Sequence, residues 1–203
     1  NVLNSEGIKL KKETLGTEKG LKNIFSYDWD EVVRIELEVL SEQIRHLKNS
    51  IKKLDEQISD KGKSLKGHDN LVSIKGIGSN SAAIMLSVIG DINDFATYGK
   101  LSAYFGIVPR VRDSNETVRH GRITKHGSKL ARTTLVQCTL AAKRYSPYLR
   151  NYYERIKSHR GSGKAIIATA RKLLNIIFDT LKNDWVFEDF PNFVLTNSCV
   201  KNN

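Results

Sequence analysis

Between residues 30 and 60, apolar side chains recur at alternating spacings of four and three residues. The series comprises Val33, Leu37, Leu40, Ile44, Leu47, Ile51, Leu54 and Ile58. This heptad pattern predicts one long α-helix with a narrow apolar stripe, as in a coiled coil. Isoleucine at most a positions with leucine at most d positions favours two strands. We expect a homodimer through the 30–60 helix, or a higher homo-oligomer. The alternative is that the stripe packs against its own chain.

Later in the chain, apolar positions at helical spacing predict a compact helical domain. The predicted helices are Asn80–Ile89, Gly99–Phe105, Gly127–Tyr145, Pro147–His159 and Gly163–Lys182. Between Ile107 and Ile123 the pattern loosens, which predicts a loop or a short hairpin. The expected fold class is therefore mainly α: a long coiled-coil helix, then a helical domain that contains this loop or hairpin.

These patterns also predict the domain organisation. Residues 1–29 have the composition of a linker or the remnant of a missing N-terminal domain, 30–61 form the coiled-coil helix, and 59–70 are a linker. The compact domain covers 71–195, and 196–203 form a frayed tail. Because the chain does not begin with Met, we expect a fragment of a longer protein.

The composition limits the class of protein. The chain has 203 residues, of which 39% are hydrophobic, as in globular proteins. No apolar run approaches the ~20 residues of a membrane span, and two cysteines cannot form a disulfide framework. We therefore expect a cytoplasmic protein with no membrane partner.

The charge is unevenly distributed. The net charge is +11, yet the segment 109–172 alone holds 16 Lys/Arg and three Asp/Glu, a net +13, which leaves −2 for the rest. Such a basic block indicates a polyanionic partner, most simply DNA.

A glycine turn precedes the first helix of the compact domain. Its sequence is Ile74-Lys75-Gly76-Ile77-Gly78. The glycines permit close backbone approach, and the following helix begins with its positive dipole end at the same place. This pattern is typical of a helix-hairpin-helix element, which holds a DNA phosphate. Lys75, Gly76 and Gly78 are its candidate contacts, and a plain turn between two helices is the alternative.

Several motifs, in order, closely resemble the transposases of the insertion-sequence one-ten type, the group that includes the Piv and MooV invertases. The resemblance covers roughly residues 70–182. The motifs are Ile-Lys-Gly-Ile-Gly (74–78), Tyr-Phe-Gly-Ile-Val-Pro (104–109), Ser-Asn-Glu (114–116), Gly-Arg-Ile-Thr-Lys-His-Gly (121–127) and Leu-Ala-Arg (130–132).

The resemblance implies a DNA recombinase that uses a serine nucleophile and selects its sites with a structured guide RNA. The nucleophile falls on Ser114, although Asn115 stands where glycine is common. An Asp-Glu-Asp-Asp set that binds Mg²⁺ belongs to a separate N-terminal domain. Asp28, Asp30 and Glu31 are too clustered to replace it, so we expect no metal site and no cofactor in this chain.

Cations surround Ser114 in the sequence and suit a scissile phosphate. The candidate nucleic-acid contacts of this segment are Arg110, Arg112, Arg119, Arg122, Lys125, Lys129 and Arg132. Ser128 is the rival nucleophile, but an N-cap is its natural role. His120 and His126 are better suited to phosphate contacts than to a metal, and Tyr145 and Tyr153 remain open as base-stacking residues.

Two functions are consistent with these observations. The first is the C-terminal region of a transposase, which binds DNA and supplies the nucleophile. The second is a non-catalytic module for nucleic-acid binding and dimerisation, either a decayed transposase fragment or a regulator.

Overall fold

The computed structural model describes residues 3, 7–8, 12–114 and 117–186, and of these only the backbone at 12–13, 111–114 and 117–120. Its elements are nearly all helices, which confirms the predicted mainly-α fold. In chain order they are α1 (Lys12–Leu15), α2 (Glu18–Ile24), α3 (Glu31–Lys63), α4 (His68–Val72), α5 (Ser79–Ile89), α6 (Tyr98–Tyr104), β1 (Pro109–Ser114), β2 (Thr117–Ile123), α7 (Lys129–Tyr145), α8 (Pro147–Arg160) and α9 (Ser162–Lys182). None of the described helices is both long enough and apolar enough to cross a bilayer.

The chain divides into two compact units, residues 1–57 and 58–203. In the first unit, α2 packs on the first half of α3. Leu21 and Ile24 of α2 form a small core with Leu37 of α3. The indole N–H of Trp29 donates to the carbonyl of Ile24 at 2.7 Å and closes this core. Part of the range predicted as a linker or remnant thus forms two short helices, of which α2 covers the beginning of the apolar stripe.

No described residue of this unit covers the second half of the stripe. The side chains of Leu47, Ile51 and Leu54 are 60%, 57% and 63% exposed, whereas Leu37 is 5% exposed. Packing within the chain therefore covers Val33, Leu37 and Ile44 of the stripe, and leaves Leu40 and the second half exposed.

The second unit is a helical domain built around α9. This helix contacts α4, α6, α7 and α8. Leu173, Leu174 and Ile177 on its apolar face are fully buried, as the helical spacing predicts. Ser146 accepts a hydrogen bond from the amide of Leu149 and caps α8, whose first residue is Pro147. Helices α4 to α9 thus contribute to one core. The turn and the strands described below lie in the segments that connect these helices.

The boundaries differ from the sequence prediction at two places. Helix α3 continues to Lys63 through the predicted linker, and α4 forms where no helix was predicted. At Gly62 an added Cβ would lie 2.7 Å from the Cβ of Ala83, so the glycine lets the end of α3 pass close to α5. The predicted domain end at 195 and the tail 196–203 lie outside the described residues.

Candidate nucleic-acid interface

The glycine turn at 74–78 joins α4 to α5 and packs on the end of α7. Gly76 has a φ of 110°, and a Cβ there would lie 2.5 Å from the backbone nitrogen of Ala142. Neither the backbone conformation nor the space admits a side chain. The turn is therefore held directly against α7, which places Lys75 and Gly78 beside the last turn of that helix.

Gly78 differs from Gly76. Its φ is −88°, a value open to any residue, and no atom lies within 4 Å of the position of a Cβ. Gly78 is the N-cap residue of α5, and no side chain caps this helix. The positive end of α5 thus opens on an exposed surface next to the exposed Lys75.

A buried histidine fixes the start of α5. His68 is 4% exposed, and its Nε2 lies 2.9 Å from the Ser79 hydroxyl. The same hydroxyl lies 2.9 Å from that of Ser59 on α3. On the other side of the ring, Nδ1 lies 3.1 Å from a carboxylate oxygen of Asp69. This hydrogen-bonded chain ties α3, α4 and the first residue of α5 together.

Helices α5 and α7 also meet at Cys138. Its thiol is buried and hydrogen-bonded to Ser81, and burial raises the pKa of the thiol. A buried, neutral thiol of this kind is a packing residue with little nucleophilic character.

The strands β1 and β2 form an antiparallel hairpin, as one of the two sequence alternatives predicted. Ser114 pairs with Thr117 and is the last described residue before the connection. Because Pro109 pairs with Ile123 and Val111 with His120, two residues of β2, Gly121 and Arg122, stand opposite Arg110. Such a bulge increases the local twist of the hairpin.

Two glycines attach the base of the hairpin to the domain. A Cβ at Gly106 would lie 2.0 Å from the carbonyl oxygen of His126, and one at Gly127 would lie 2.1 Å from that of Tyr104. Both glycines have positive φ. The Gly residues of the Tyr-Phe-Gly and Lys-His-Gly motifs are thus explained by the contact between these two chain segments.

Arginine side chains strengthen the same attachment. Arg132 donates to the carbonyls of Phe105 and His126, each at 3.3 Å, and Arg110 donates to the carbonyl of Thr124 at 3.3 Å. These two predicted contacts therefore have a structural role as well.

The other predicted contacts of the hairpin region are exposed. They are Arg122, Lys125 and Lys129, and Lys125 adopts a left-handed backbone conformation with a φ of 58°. Ser128 caps α7 by accepting the amide of Ala131 at 3.2 Å, as predicted. The backbone positions of Arg112, Ser114, Arg119 and His120 are given by the strands, but their side-chain contacts lie outside the described residues.

The predicted contacts fall into two groups at opposite ends of α7. One group is the turn at 74–78, which packs on Ala142. The other is the hairpin with Lys129 and Arg132 at the start of α7. At 1.5 Å per residue, the 13 residues from 129 to 142 place the groups about 20 Å apart along the helix. The predicted contacts thus belong to two surfaces of one domain.

Lys143 and Arg144 follow Ala142 at this end of α7, although no sequence motif assigns them to a site. The contact between Gly76 and Ala142 joins segments far apart in the chain, and no local pattern reports it. The sequence indicates this contact only through the small size of Gly76 and Ala142, since only a small residue on α7 lets the turn approach the helix backbone.

Comparison with known proteins identifies this segment. Residues 68–154 match the model described as the transposase IS116/IS110/IS902 family. These residues are therefore similar to the transposase domain of that family. The matched segment begins at the first residue of α4 and ends within α8. It contains the turn, the hairpin and α7.

Individual relatives agree with this family. A transposase for insertion sequence element IS1111A from Coxiella burnetii is 34% identical over 117 residues, 53% of this chain and 31% of the relative. An insertion element IS110 protein of Streptomyces coelicolor is 26% identical over 117 residues, 56% of this chain and 28% of the relative. A probable family 20 transposase of Pseudomonas aeruginosa is 27% identical over 108 residues, 53% of this chain and 32% of the relative. The matches thus span less than a third of the length of these curated relatives.

Proposed function

We propose that this protein is the DNA-binding and strand-exchange region of an insertion-sequence transposase. The observation that carries the proposal is the family match at residues 68–154. Ser114 and every predicted nucleic-acid contact fall inside that segment. The individual roles below follow from the chemistry of these residues.

The first role is phosphate binding at the glycine turn. A glycine is commonly required by a positive φ or by a protein atom too close to admit a Cβ. Gly78 has neither. Glycine is also a favoured N-cap residue, and here it leaves open space for a ligand at the uncapped end of α5. A DNA phosphate fits this place, because backbone amides and the helix dipole favour an anion and Lys75 adds a positive charge. Such a contact binds any sequence, as in a helix-hairpin-helix element.

The second role is strand cleavage at the hairpin. Ser114 Oγ attacks the scissile phosphorus, a serine–phosphate ester forms, and the bond to the leaving DNA hydroxyl breaks. The serine proton passes to a base and the leaving oxygen takes up a proton. Attack by the hydroxyl of another strand then reverses these steps and joins the exchanged strands. Arg122, Lys125 and Lys129 supply positive charge for the phosphate and for the transition state.

The family resemblance also implies a Mg²⁺ ion. Within the described residues, no group of three or more His, Cys, Asp or Glu side chains comes together. Mg²⁺ prefers several carboxylate oxygens at one place, and the described residues supply no such cluster. We assign the metal to the Asp/Glu domain that the resemblance places outside this chain.

Salt dependence tests the binding role. A site with six to ten phosphate contacts should lose about 10³–10⁵ in affinity between 50 and 200 mM salt. The affinity of the chain for duplex DNA, and for a structured RNA as the second polyanion, is measured across this range. An affinity that hardly changes, or no binding at low salt, would contradict the proposed role of the basic block.

A non-catalytic module for nucleic-acid binding and dimerisation is the second candidate. The exposed stripe of Leu47, Ile51 and Leu54 supports its dimerisation part, because such a surface gains stability from a partner. We propose a second copy of the chain as that partner, since the heptad pattern suits two equal strands. Both candidates predict DNA binding and dimerisation, and only the first predicts a serine–DNA adduct in the complete transposase.

A further inference from the structure

A group of basic and aromatic side chains lies where α7 ends and α8 begins, and the roles above do not use it. Lys143, Arg144 and Tyr145 are the last three residues of α7, and Arg150 faces them from α8. Arg150 donates to the carbonyls of Lys143 at 3.3 Å and Arg144 at 2.6 Å. This guanidinium satisfies carbonyls that the end of α7 leaves unpaired, and it fixes the corner between the two helices.

The nearby tyrosines on α8 have cations over their rings. The ammonium group of Lys143 lies 3.8 Å from the centre of the Tyr153 ring, which is buried. The Tyr152 ring has Arg155 at 5.3 Å and Lys172 at 5.5 Å. These cation–π contacts hold positive charge in fixed places on the surface. They also leave Tyr152 and Tyr153 poorly suited to stacking on a base.

Tyr145 differs from both. Its side chain is 55% exposed, although it stands in a corner whose neighbours Ala142 and Ser146 are buried. An exposed aromatic ring beside fixed cations is the usual arrangement for stacking on a nucleic-acid base.

The position of Tyr145 connects it to the glycine turn. Ala142, on which Gly76 packs, lies three residues earlier on α7. Residues three apart on a helix are neighbours on one face, about 5–6 Å apart at Cβ. Tyr145 therefore stands one helical turn beyond the contact point of the turn. A nucleotide whose phosphate binds at Gly78 places the bases next to it within reach of this ring.

We propose that Tyr145 stacks on an unpaired base of a nucleic-acid strand whose backbone is held by the glycine turn and by Arg144. The inference rests on the proposed phosphate contact at Gly78, and it adds that the bound strand is unpaired next to this contact. A paired base is stacked inside its duplex and cannot cover the ring, so Tyr145 selects frayed, tailed or looped segments. The same chemistry serves a DNA strand opened during exchange and a loop of a structured RNA.

The test compares two probes with the full chain. One is a blunt DNA duplex, and the other is the same duplex with a short single-stranded tail. Tyr145→Ala should weaken binding of the tailed probe by roughly 5- to 100-fold, the range for one stacked base, and leave the blunt duplex nearly unchanged. The slope of affinity with salt should stay the same because no charge is removed. Tyr145→Trp should keep the preference for the tailed probe. The affinities for a DNA tail and for an RNA tail, measured on the same duplex, show which kind of strand the ring prefers.

Two control variants make the outcome decisive. Tyr98→Ala removes a tyrosine of α6 that is equally exposed, at 53%, and should affect neither probe. Arg144→Ala should weaken both probes and lower the salt slope. Equal effects of Tyr145→Ala on both probes, or no effect on the tailed probe, would overturn the inference while the phosphate contact stands. Failure of the wild-type chain to bind either probe would overturn the inference together with the proposed function.

Discussion

At the scale of single residues, the two glycines of the turn are glycine for different reasons. Gly76 is required by its φ of 110° and by the backbone of Ala142. Gly78 is required by neither backbone nor neighbours; it is a favoured N-cap residue, and we propose that it also admits a ligand. The sequence motif treats the two alike, because a spacing pattern contains no information on which glycine faces protein and which faces solvent.

This difference predicts opposite outcomes for two alanine variants. Gly78→Ala should lower the melting temperature only slightly, because its Cβ meets open space and only the N-cap preference for Gly over Ala is lost. It should reduce DNA affinity by obstructing the phosphate. Gly76→Ala should destabilise the fold by about 2 kcal/mol or more, through a strained φ and a clash with α7. Thermal unfolding and a binding titration, run side by side, check both variants. Unchanged affinity in Gly78→Ala would remove the phosphate from this turn.

At the scale of elements, helical periodicity predicts α5, α7, α8 and α9 to within two residues at each end. Each of these helices buries one face against a common core, so its apolar spacing carries the signal. The five-residue helix α4 is too short to show a period. The loosened pattern between Ile107 and Ile123 does not distinguish a loop from a hairpin. The uncovered half of α3 is the part of the heptad pattern that the described core does not explain.

A charge in that uncovered stripe should dissociate the proposed dimer. Leu47 occupies a central d position and is 60% exposed in the single chain. Leu47→Asp should therefore leave the folded chain intact, but bury an unpaired charge in the dimer at a cost of about 3 kcal/mol or more. Light scattering at tens of micromolar protein should show a dimer for the wild type and a monomer for this variant.

Val32→Asp is the matched control for that experiment. Val32 lies on α3 outside the stripe and is 71% exposed, so the variant adds the same charge away from the seam. It should remain dimeric. A wild type that is already monomeric, or equal dissociation by both variants, would contradict pairing through the stripe.

At the scale of the whole molecule, the predicted nucleic-acid contacts lie in two groups, one at each end of α7. The net charge of +13 between residues 109 and 172 predicts a polyanion but does not place it. The fold separates the turn from the hairpin by about 20 Å, since both pack on one rigid helix. This separation suits the proposed function, in which one duplex contacts a phosphate at the turn and reaches Ser114 at the hairpin.

The most direct test of the account is the search for a serine–DNA bond in a complete transposase that contains this region. With Ser114→Ala, strand exchange and any protein–DNA adduct on a denaturing gel should disappear, while DNA affinity stays nearly unchanged because one small hydroxyl is lost. Ser128→Ala should still form the adduct, and lose only the cap of α7, about 1 kcal/mol of stability. An adduct that persists with alanine at 114, or disappears with alanine at 128 in a folded protein, would contradict the assignment of Ser114 as the nucleophile.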